Sequence, residues 1–476
     1  VMDDGRYADW VPLFAGQHVF KAAEPVCTAL EAVMRHAAQE GQAPAGLVAR
    51  ATLVHSYPHS WRSRAPIIYR ATPQWFIRMD GEGALRKRAL AALDDVTFVP
   101  AQSRNRLTSM VEGRPDWCIS RQRAWGVPIA VFVEKRTGEV LRDAAVMKRV
   151  VDAFAAEGAD AWYASPASRF LGEGRNPDDY EQVFDIVDVW FESGSTHAFV
   201  LGHGDMPFPA DVYLEGSDQH RGWFQSSLLE SVGTKGIAPF RTLVTNGFVL
   251  DEQGRKMSKS LGNVIAPQDV NDSLGADILR LWVMNSDTNE DLRIGKDILK
   301  QQGELYRRLR NTLRWLLGAL DGFAEDERVA YDDLPELERW VLHRLGELGG
   351  LVARAVETHE WVGVYPALHG FCAADLSAFY FDVRKDTIYC DAASSLKRRA
   401  ARTVLDHLHR CRCAWLAPVL VFTAEEAWLA RPGTTQSIHL QPFPDIPAQW
   451  HQPALEDRWA TLRGVRRIIT TAIEAA

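Results

Sequence analysis

The sequence predicts an α/β layered fold over about its first 283 residues and an all-α helix bundle after them. Two compact apolar runs, at 127–133 and 211–214, are bounded by Gly or Pro and have the pattern of buried parallel strands. A stretch of helical spacing at 144–155 lies between these two runs. Strands that alternate with helices favour a layered α/β sheet.

The other elements of the first half follow from the same patterns. Residues 242–245 and 248–250 are short apolar runs and are predicted as strands. The helix predicted at 144–155 has an apolar face formed by Met147, Val150, Val151 and Phe154. Between residues 160 and 210 the chain is rich in Pro, Gly, Asp and aromatic residues, which indicates loops or an insertion over the sheet.

The second half shows one helical pattern after another. Apolar residues recur at steps of three or four, which places them on one face of a helix. Three such faces are formed by Leu337, Val341, Leu345, Leu348 and Val352; by Leu368, Cys372, Leu376 and Phe379; and by Val404, Leu408, Cys411 and Trp415. A boundary within this half is predicted near 321–327.

The composition is that of an ordinary globular protein and argues against a surface that binds polyanions over its whole extent. The 476 residues correspond to about three domains at roughly 150 residues each. Hydrophobic residues at 46% and charged residues at 24% are ordinary for a globular chain. The 54 basic and 62 acidic residues give a net charge of −8, so contact with a polyanion must come from local basic patches.

No targeting or membrane segment is predicted. The longest apolar run, 414–422, is shorter than the roughly 18 residues of a membrane span. The N-terminus lacks the basic and apolar regions of a signal peptide. The 6 cysteines contain no Cys-x-x-Cys pair, which is typical of reduced thiols and not of a disulfide framework or a zinc cage. We therefore expect a cytoplasmic protein.

The most distinctive motif is Lys256-Met-Ser-Lys-Ser260, flanked by Gly254 and Gly262. Two lysines and two hydroxyls on a loop hinged by glycines suit a mobile clamp for phosphates, because ammonium groups stabilise developing negative charge. A solvated basic turn is the alternative. The pentapeptide resembles the second ATP signature of the class I aminoacyl-tRNA synthetases.

The resemblance extends over nearly the whole chain. Four further stretches occur in the order of the family and resemble the form found in isoleucyl-tRNA synthetases: 116–129, 188–196, 213–224 and 379–386. The resemblance implies an α/β doubly wound (Rossmann-like) catalytic half, followed by an all-α anticodon-binding helix bundle, with a small editing-domain remnant at the N-terminus.

The resemblance also implies a division into domains. Residues 1–65 correspond to the C-terminal remnant of an editing domain and its hinge. Residues 66–283 correspond to the second half of the catalytic domain with the Lys-Met-Ser-Lys-Ser loop. Residues 284–325 correspond to a connecting helical segment that contacts the tRNA stem, and residues 326–476 to the anticodon-binding domain.

The stretch 214–220 follows a predicted strand and precedes a predicted helix, where an α/β sheet binds ligands at its carboxyl edge. A purely structural strand-to-helix turn is the alternative. The resemblance implies that Lys256 and Lys259 are catalytic and stabilise phosphate charge. It further implies that the adenylate, adenosine and ATP are contacted by Glu215, Gly216, Asp218, Gln219, Met257, Ser258, Lys259 and Ser260.

Trp190 and Trp223 are candidate walls of an amino-acid pocket, in which flat aromatic faces enclose a branched aliphatic side chain. Tryptophans are more often core residues, and that is the alternative. The resemblance implies an isoleucine pocket formed by Trp190, Trp223 and Glu215.

Basic clusters in the helical half are candidate tRNA contacts. The residues singled out are Arg307, Arg308, Arg314, Arg398 and Arg399. Such clusters can meet RNA phosphates, but they are equally typical of solvated helix faces. The resemblance favours RNA, because the family has its stem-contacting and anticodon-binding helices here.

The sequence departs from the family at several points. The first ATP signature, His-x-Gly-His, is absent, and so are the Thr- and His-rich editing stretch and the cysteine-rich C-terminal zinc module. Ser60 and Ser63 stand where many relatives have a zinc-binding Cys-x-x-Cys. Hydroxyls are poor zinc ligands, so no metal is predicted in this chain. Asn246 replaces the usual His of a Thr-x-Gly-Phe turn.

The resemblance implies the activity of an isoleucine–tRNA ligase, which joins isoleucine to tRNA(Ile) through an isoleucyl-adenylate with ATP and Mg²⁺ as the substrate complex. The chain is expected to be a fragment that is inactive alone, because it lacks the first ATP signature. The complete protein is expected to be a monomer. Two alternatives stay open: a non-catalytic tRNA-binding fragment, and a valyl- or leucyl-tRNA synthetase.

Overall fold

The computed structural model describes residues 1–2, 4–43, 45–60, 63–123 and 125–475, with the backbone alone described at Ser260. The chain forms two compact units, Val1–Trp75 and Phe76–Ala476. The first unit contains the helix α1 (Ala23–Gln39), preceded by a 3₁₀ turn at Val19–Lys21. The boundary predicted at residue 65 falls inside this unit and stays a prediction.

The second unit begins with the α/β half, whose strands are mostly short. They are β1 (Phe76–Ile77), β2 (Thr97–Val99), β3 (Trp117–Cys118), β4 (Ser120–Arg121), β5 (Phe132–Glu134), β6 (Tyr180–Gln182), β7 (Ile186–Val187), β8 (Ala210–Gly216), β9 (Phe240–Asn246), β10 (Val249–Leu250) and β11 (Leu292–Arg293). Strands β2, β9 and β8 form a parallel sheet in that order. The strands predicted at 211–214 and 242–245 are confirmed as parts of β8 and β9.

Ten helices accompany these strands in the described part of the second unit. They are α2 (Leu85–Ala92), α3 (Ser103–Glu112), α4 (Ala144–Glu157), α5 (Ala161–Ala164), α6 (Ala167–Leu171), α7 (Val189–Gly194), α8 (Thr196–Phe199), α9 (Trp223–Lys235), α10 (Pro267–Ser273) and α11 (Ala276–Met284). Helix α9 connects β8 to β9, and its Leu228 and Val232 pack with Phe240 and Leu243 in one buried core.

The apolar run at 127–133 does not join this sheet as a parallel strand, which corrects the sequence prediction. Only its end forms β5, and β5 pairs antiparallel with β6. Helices α4 to α6 pack on this pair, and Phe132, Trp162 and Phe170 lie at the centre of a small core of their own. The insertion predicted over the sheet is therefore a compact element with helices, because its aromatic residues pack with one another.

Helix α4 forms where the spacing predicts it, but the predicted apolar face is wrong in part. Val146, Val150 and Ala153 are buried, whereas Met147 and Val151 are 44% and 57% exposed. Apolar residues lie on two overlapping faces of this helix, and the contact with Trp162 selects the face with the smaller side chains.

The rest of the second unit is helical. Its helices are α12 (Lys296–Ala319), α13 (Glu336–Thr358), α14 (Val364–Gly370), a π-helix (Phe371–Tyr380), α15 (Phe381–Cys390), α16 (Leu396–Leu416), α17 (Val421–Leu429) and α18 (Pro453–Ala475). The three apolar faces predicted from the spacing are confirmed, since all of their members are buried. No helix of the described residues has the length and apolar character needed to cross a membrane.

A buried ion pair lies inside this bundle. The Arg384 guanidinium of α15 donates from Nε and Nη2 to the Glu338 carboxylate of α13 at 2.6 and 2.7 Å. Neither side chain is more than 8% exposed, and the Tyr380 hydroxyl donates to the same carboxylate at 3.2 Å. The pair joins helices α13 and α15 through two residues that are 46 positions apart in the sequence.

A second polar contact attaches the α/β half to the bundle. The Asp277 carboxylate of α11 accepts hydrogen bonds from the Thr423 amide at 3.0 Å and from the Thr423 hydroxyl at 2.8 Å. These groups lie in the first turn of α17, where backbone amides have no partner within the helix. Helix α11, the second helix after the Lys-Met-Ser-Lys-Ser loop, is thereby fixed to the bundle.

Candidate functional site

The carboxyl ends of β8 and β9 lie side by side. The two strands are parallel, and their register pairs Gly216 with Asn246. The stretch 217–220 leaves the sheet at this edge after β8, and the chain from β9 continues through β10 to the Lys-Met-Ser-Lys-Ser loop. The two stretches predicted to bind ATP therefore start from the same edge, which is where parallel sheets bind ligands.

The turn after β8 holds its side chains in local hydrogen bonds. Gln219 accepts from the Trp223 amide at 3.2 Å and donates to Asp218 at 3.1 Å. A Cβ at Gly216 would lie 2.8 Å from the Asp218 carboxylate, so a larger residue at this position would displace that side chain. Glu215 and Asp218 stay exposed, and their carboxylates can accept hydrogen bonds from a ligand at the sheet edge.

The two candidate pocket tryptophans lie around Gly222. Trp223 stacks on Tyr213, with ring centroids 4.2 Å apart and planes 4° apart, and its indole donates to the Ser193 carbonyl at 3.0 Å. A Cβ at Gly222 would lie 2.8 Å from the Trp190 ring. Trp190 is 41% exposed and is therefore not a core residue of the described structure. Its role in isoleucine binding stays a prediction.

Tyr213 is a residue that the sequence analysis did not single out. It lies on β8, is 5% exposed, and fixes the ring plane of Trp223 by stacking. Burial raises the pKa of its hydroxyl. The alternation of the strand gave no signal for it, because Tyr213 shares its face of β8 with Asp211 and Glu215, which are exposed.

The Lys-Met-Ser-Lys-Ser loop is closed at its base by two side chains, Asp251 and Asn263, which we call the clasp. Asp251 accepts hydrogen bonds from the Arg255 amide at 2.7 Å and from Asn263 Nδ2 at 2.9 Å. Asn263 Oδ1 accepts from the Ser258 amide at 2.9 Å. The bond from Asn263, together with those from Arg255, lowers the pKa of Asp251 to about 2.

Above the clasp the loop presents its lysines to solvent. Lys256 and Lys259 are exposed, and neither forms an ion pair with any residue that the structure describes. Met257 points the other way and packs against the core that contains Val270 and Trp282. Met257 thus anchors the loop, while its predicted ATP contact stays untested. The predicted contact of the Ser260 side chain lies outside the described residues.

Loosening the clasp is expected to free the loop. We expect Asp251→Asn to raise hydrogen exchange at the Arg255 and Ser258 amides by about tenfold or more, because the anionic acceptor is lost. Glu252→Gln, an adjacent exposed change, is the control and should leave these amides unchanged. Equal exchange in the two variants would contradict the clasp.

The clasp should also respond to pH in one direction. Because folding lowers the pKa of Asp251 to about 2, its contribution to loop stability is present above the unfolded value of about 3.9. That contribution is lost as the pH falls through about 2. Loop protection measured by hydrogen exchange, corrected for the intrinsic rate, is therefore expected to be constant from pH 7 to about 5 and to fall as the pH is lowered from about 4 to about 2. Protection that already falls between pH 7 and about 5 would contradict this expectation.

The arginines predicted to contact tRNA fall into two groups. Arg308 and Arg314 are exposed on α12, and Arg307 is exposed there beside Glu304. Arg398 and Arg399 instead donate to backbone carbonyls of Ile388 at 3.1 Å and Glu327 at 3.1 Å. The second group therefore has a structural role in the bundle, and RNA contact stays a prediction for both groups.

Two departures from the family pattern have local hydrogen bonds. Asn246 Nδ2 donates to the adjacent Gly247 carbonyl at 2.9 Å, and the Ser60 hydroxyl accepts from the Ser63 amide at 3.2 Å. Among the described residues no group of three or more His, Cys, Asp or Glu side chains is arranged to hold a metal ion.

Comparison with known proteins gives two family matches. Residues 11–295 match the family described as tRNA synthetases class I (I, L, M and V). Residues 338–475 match the family described as anticodon-binding domain of tRNA ligase. Together the two matches cover the α/β half and most of the helix bundle.

Individual relatives agree with these matches. The chain is 74% identical over 477 aligned residues to the isoleucine–tRNA ligase of Gluconobacter oxydans, covering 100% of this chain and 50% of that protein. It is 56% identical over 436 residues to the isoleucine–tRNA ligase of Mesorhizobium japonicum, covering 90% of this chain and 44% of that protein. The chain thus spans about half the length of the curated relatives it matches.

A solved structure has the same fold. Methionyl-tRNA synthetase of Mycobacterium tuberculosis bound to methionyl-adenylate superposes with a TM-score of 0.57 at 18% identity, covering 83% of this chain and 72% of that chain. At this identity the likeness is one of fold.

Proposed function

Because the chain belongs to the class I tRNA synthetases of the isoleucine, leucine, methionine and valine group, we propose that it is part of an isoleucine–tRNA ligase. The observation that carries the proposal is the 74% identity to one such ligase along the whole chain. The 217–220 turn and the segment that leads to the lysine loop follow neighbouring parallel strands at one sheet edge, which supports the proposal, since this edge is where parallel sheets bind ligands.

In the proposed reaction the isoleucine carboxylate attacks the α-phosphate of ATP–Mg²⁺, and pyrophosphate leaves. The terminal ribose hydroxyl of tRNA(Ile) then attacks the carbonyl of the adenylate and displaces AMP. Lys256 and Lys259 stabilise the charge that develops on the phosphates in the first step. Their lack of ion-pair partners within the described structure leaves their charge available for this role.

The neighbouring residues bind and orient the reactants. Trp190 and Trp223 enclose the isoleucine side chain, and Glu215 contacts the adenylate. Gly216, Asp218 and Gln219 line the adenosine, while Met257, Ser258 and Ser260 complete the ATP site. In this arrangement catalysis depends on position and electrostatics, and no side chain is proposed as a general base.

The domain assignments complete the proposal. Residues 1–65 are the end of an editing domain, and 66–283 the second half of the catalytic domain. Residues 284–325 contact the tRNA stem, with Arg307, Arg308 and Arg314 toward the phosphates. Residues 326–476 bind the anticodon region, with Arg398 and Arg399 as the candidate phosphate contacts. We propose a cytoplasmic, monomeric complete protein without a zinc ion in this part of it.

The 476-residue chain by itself is expected to show no isoleucine-dependent ATP–pyrophosphate exchange, because it lacks a His-x-Gly-His signature. Exchange is measured beside the Lys256→Met/Lys259→Met variant as the zero-activity control. Exchange by the chain above that control would contradict the expectation.

Completion with an N-terminal half that carries the missing signature is expected to give exchange with isoleucine. The same assay with valine and leucine separates the three enzymes of the group. A preference for valine or leucine would overturn the assignment to isoleucine. Completed protein that binds tRNA but exchanges with none of the three would instead support a non-catalytic tRNA-binding chain.

A further inference from the structure

A partly open cavity of about 300 Å³ lies in the α/β half, between α2, α7, α8 and α9. Its walls are mainly apolar and include Trp117, Phe191 and Leu229. None of the residues proposed above for isoleucine, ATP or tRNA lines it. Ligand pockets begin at about this size, so the cavity has room for a small molecule.

One residue that lines this cavity is a buried glutamate, Glu230, whose carboxyl group has an oxygen without a partner in the described part of the chain. Glu230 of α9 is 8% exposed, and its Oε1 has no hydrogen bond with any described residue. Helix α7 passes directly over this oxygen, since a Cβ at Gly194 would lie 2.2 Å from it. A buried carboxyl group with an unpartnered oxygen is destabilising, so a molecule in the cavity that forms a hydrogen bond with this carboxyl group is favoured.

The cavity is uncharged near neutral pH. Burial raises the pKa of Glu230 to about 9, so its carboxyl is protonated and can donate a hydrogen bond. Burial lowers the pKa of the other titratable lining group, His197, whose Nδ1 donates to the Gly194 carbonyl at 2.9 Å. A charged ligand would lose its hydration here without gaining an opposite charge.

We propose that this cavity is a binding site for a small, uncharged and mainly apolar molecule with one hydrogen-bond acceptor, which accepts from Glu230. Aromatic walls contribute burial of apolar surface, and the carboxyl selects for the acceptor. The site does not depend on the enzymatic activity proposed above, because it is formed entirely by residues of this chain outside that machinery.

The test compares two probes by ligand-observed ¹⁹F NMR on the full 476-residue chain. The probe with an acceptor is 4-fluoroacetophenone, and 4-fluorotoluene is the matched molecule without one. The ketone is expected to bind about tenfold more tightly, which corresponds to one hydrogen bond. No binding of the ketone, or equal affinity for both probes, would overturn the proposal.

Variants assign the binding to this cavity. Glu230→Leu is expected to weaken ketone binding about tenfold and to leave fluorotoluene binding unchanged, whereas Glu230→Gln retains a donor and should retain the preference. Gly233→Leu should abolish binding of both probes, because the leucine side chain fills the cavity. A Cβ at Gly233 would have only an ordinary contact with Leu85 at 3.9 Å, so the backbone can accept the substitution. Ketone binding that survives Glu230→Leu or Gly233→Leu unchanged would refute the site.

Discussion

Replacing Glu338 with alanine is expected to lower the free energy of unfolding of the helix bundle by about 3–5 kcal/mol, because it leaves a buried guanidinium without its counter-charge. Arg384 is only 7% exposed and donates two hydrogen bonds to this carboxylate. The loss is measured by urea denaturation, with hydrogen exchange of α13 and α15 identifying the transition of the bundle.

Two controls test whether the loss of unfolding free energy comes from the burial of the ion pair and not from the removal of a carboxylate as such. Glu304→Ala removes an ion pair with Arg307 at 2.9 Å whose side chains are 55% and 63% exposed, and it should cost at most about 0.5 kcal/mol. The double variant Glu338→Leu/Arg384→Met should recover most of the stability, since an apolar pair needs no counter-charge. A Glu338→Ala loss no larger than that of Glu304→Ala would show that the pair is unimportant.

Replacing Lys259 with methionine in the completed protein is expected to lower the rate of isoleucine-dependent ATP–pyrophosphate exchange by about 10²–10³-fold. Methionine keeps the length and apolar stem of the side chain but removes the ammonium group that stabilises the phosphates in the transition state. We expect a similar loss for Lys256→Met. The KM for isoleucine should change little, because neither lysine belongs to the proposed isoleucine pocket.

The control for this charge change is Lys300→Met. Lys300 is exposed on α12 outside the proposed site, and exchange should stay within about twofold of the parent protein. A loss for Lys259→Met of the same size as for Lys300→Met would exclude the phosphate role. A large loss for Lys259→Met with full tRNA binding would support it.

Many helices and strands depend on local patterns of residue type, and these could be predicted from the sequence alone. The faces of α13 and α16 follow from apolar residues at three- and four-residue steps, because a helix turns every 3.6 residues whatever lies beside it. Strands β8 and β9 follow from short apolar runs with turn residues on either side. The Lys256–Ser260 motif and the stretches that resemble the family are likewise contiguous in sequence.

The sequence did not predict which of two similar faces of a helix is buried, or which strand an apolar run pairs with. Helix α4 has apolar residues on two overlapping faces, and contact with Trp162 decides that Met147 and Val151 stay exposed. The run at 127–133 looks like a sheet strand, but its end pairs with β6 from a segment nearly fifty residues later. Both outcomes depend on partners that periodicity does not identify.

The environment of a charged side chain, whether exposed, paired or buried, was the property that the sequence predicted least well. A basic cluster reads the same in sequence whether it faces solvent, as Arg314 does, or donates to backbone carbonyls, as Arg399 does. Glu338 and Glu230 likewise look like ordinary helical glutamates, yet one is paired with a buried arginine and the other has no partner for its Oε1 among the described residues. The sequence by itself determined the family, the order of the elements and the motifs at the sheet edge, because those are local patterns of residue type. Tertiary structure decided which charges are paired, buried or free, because that depends on the distances between segments that are remote along the chain.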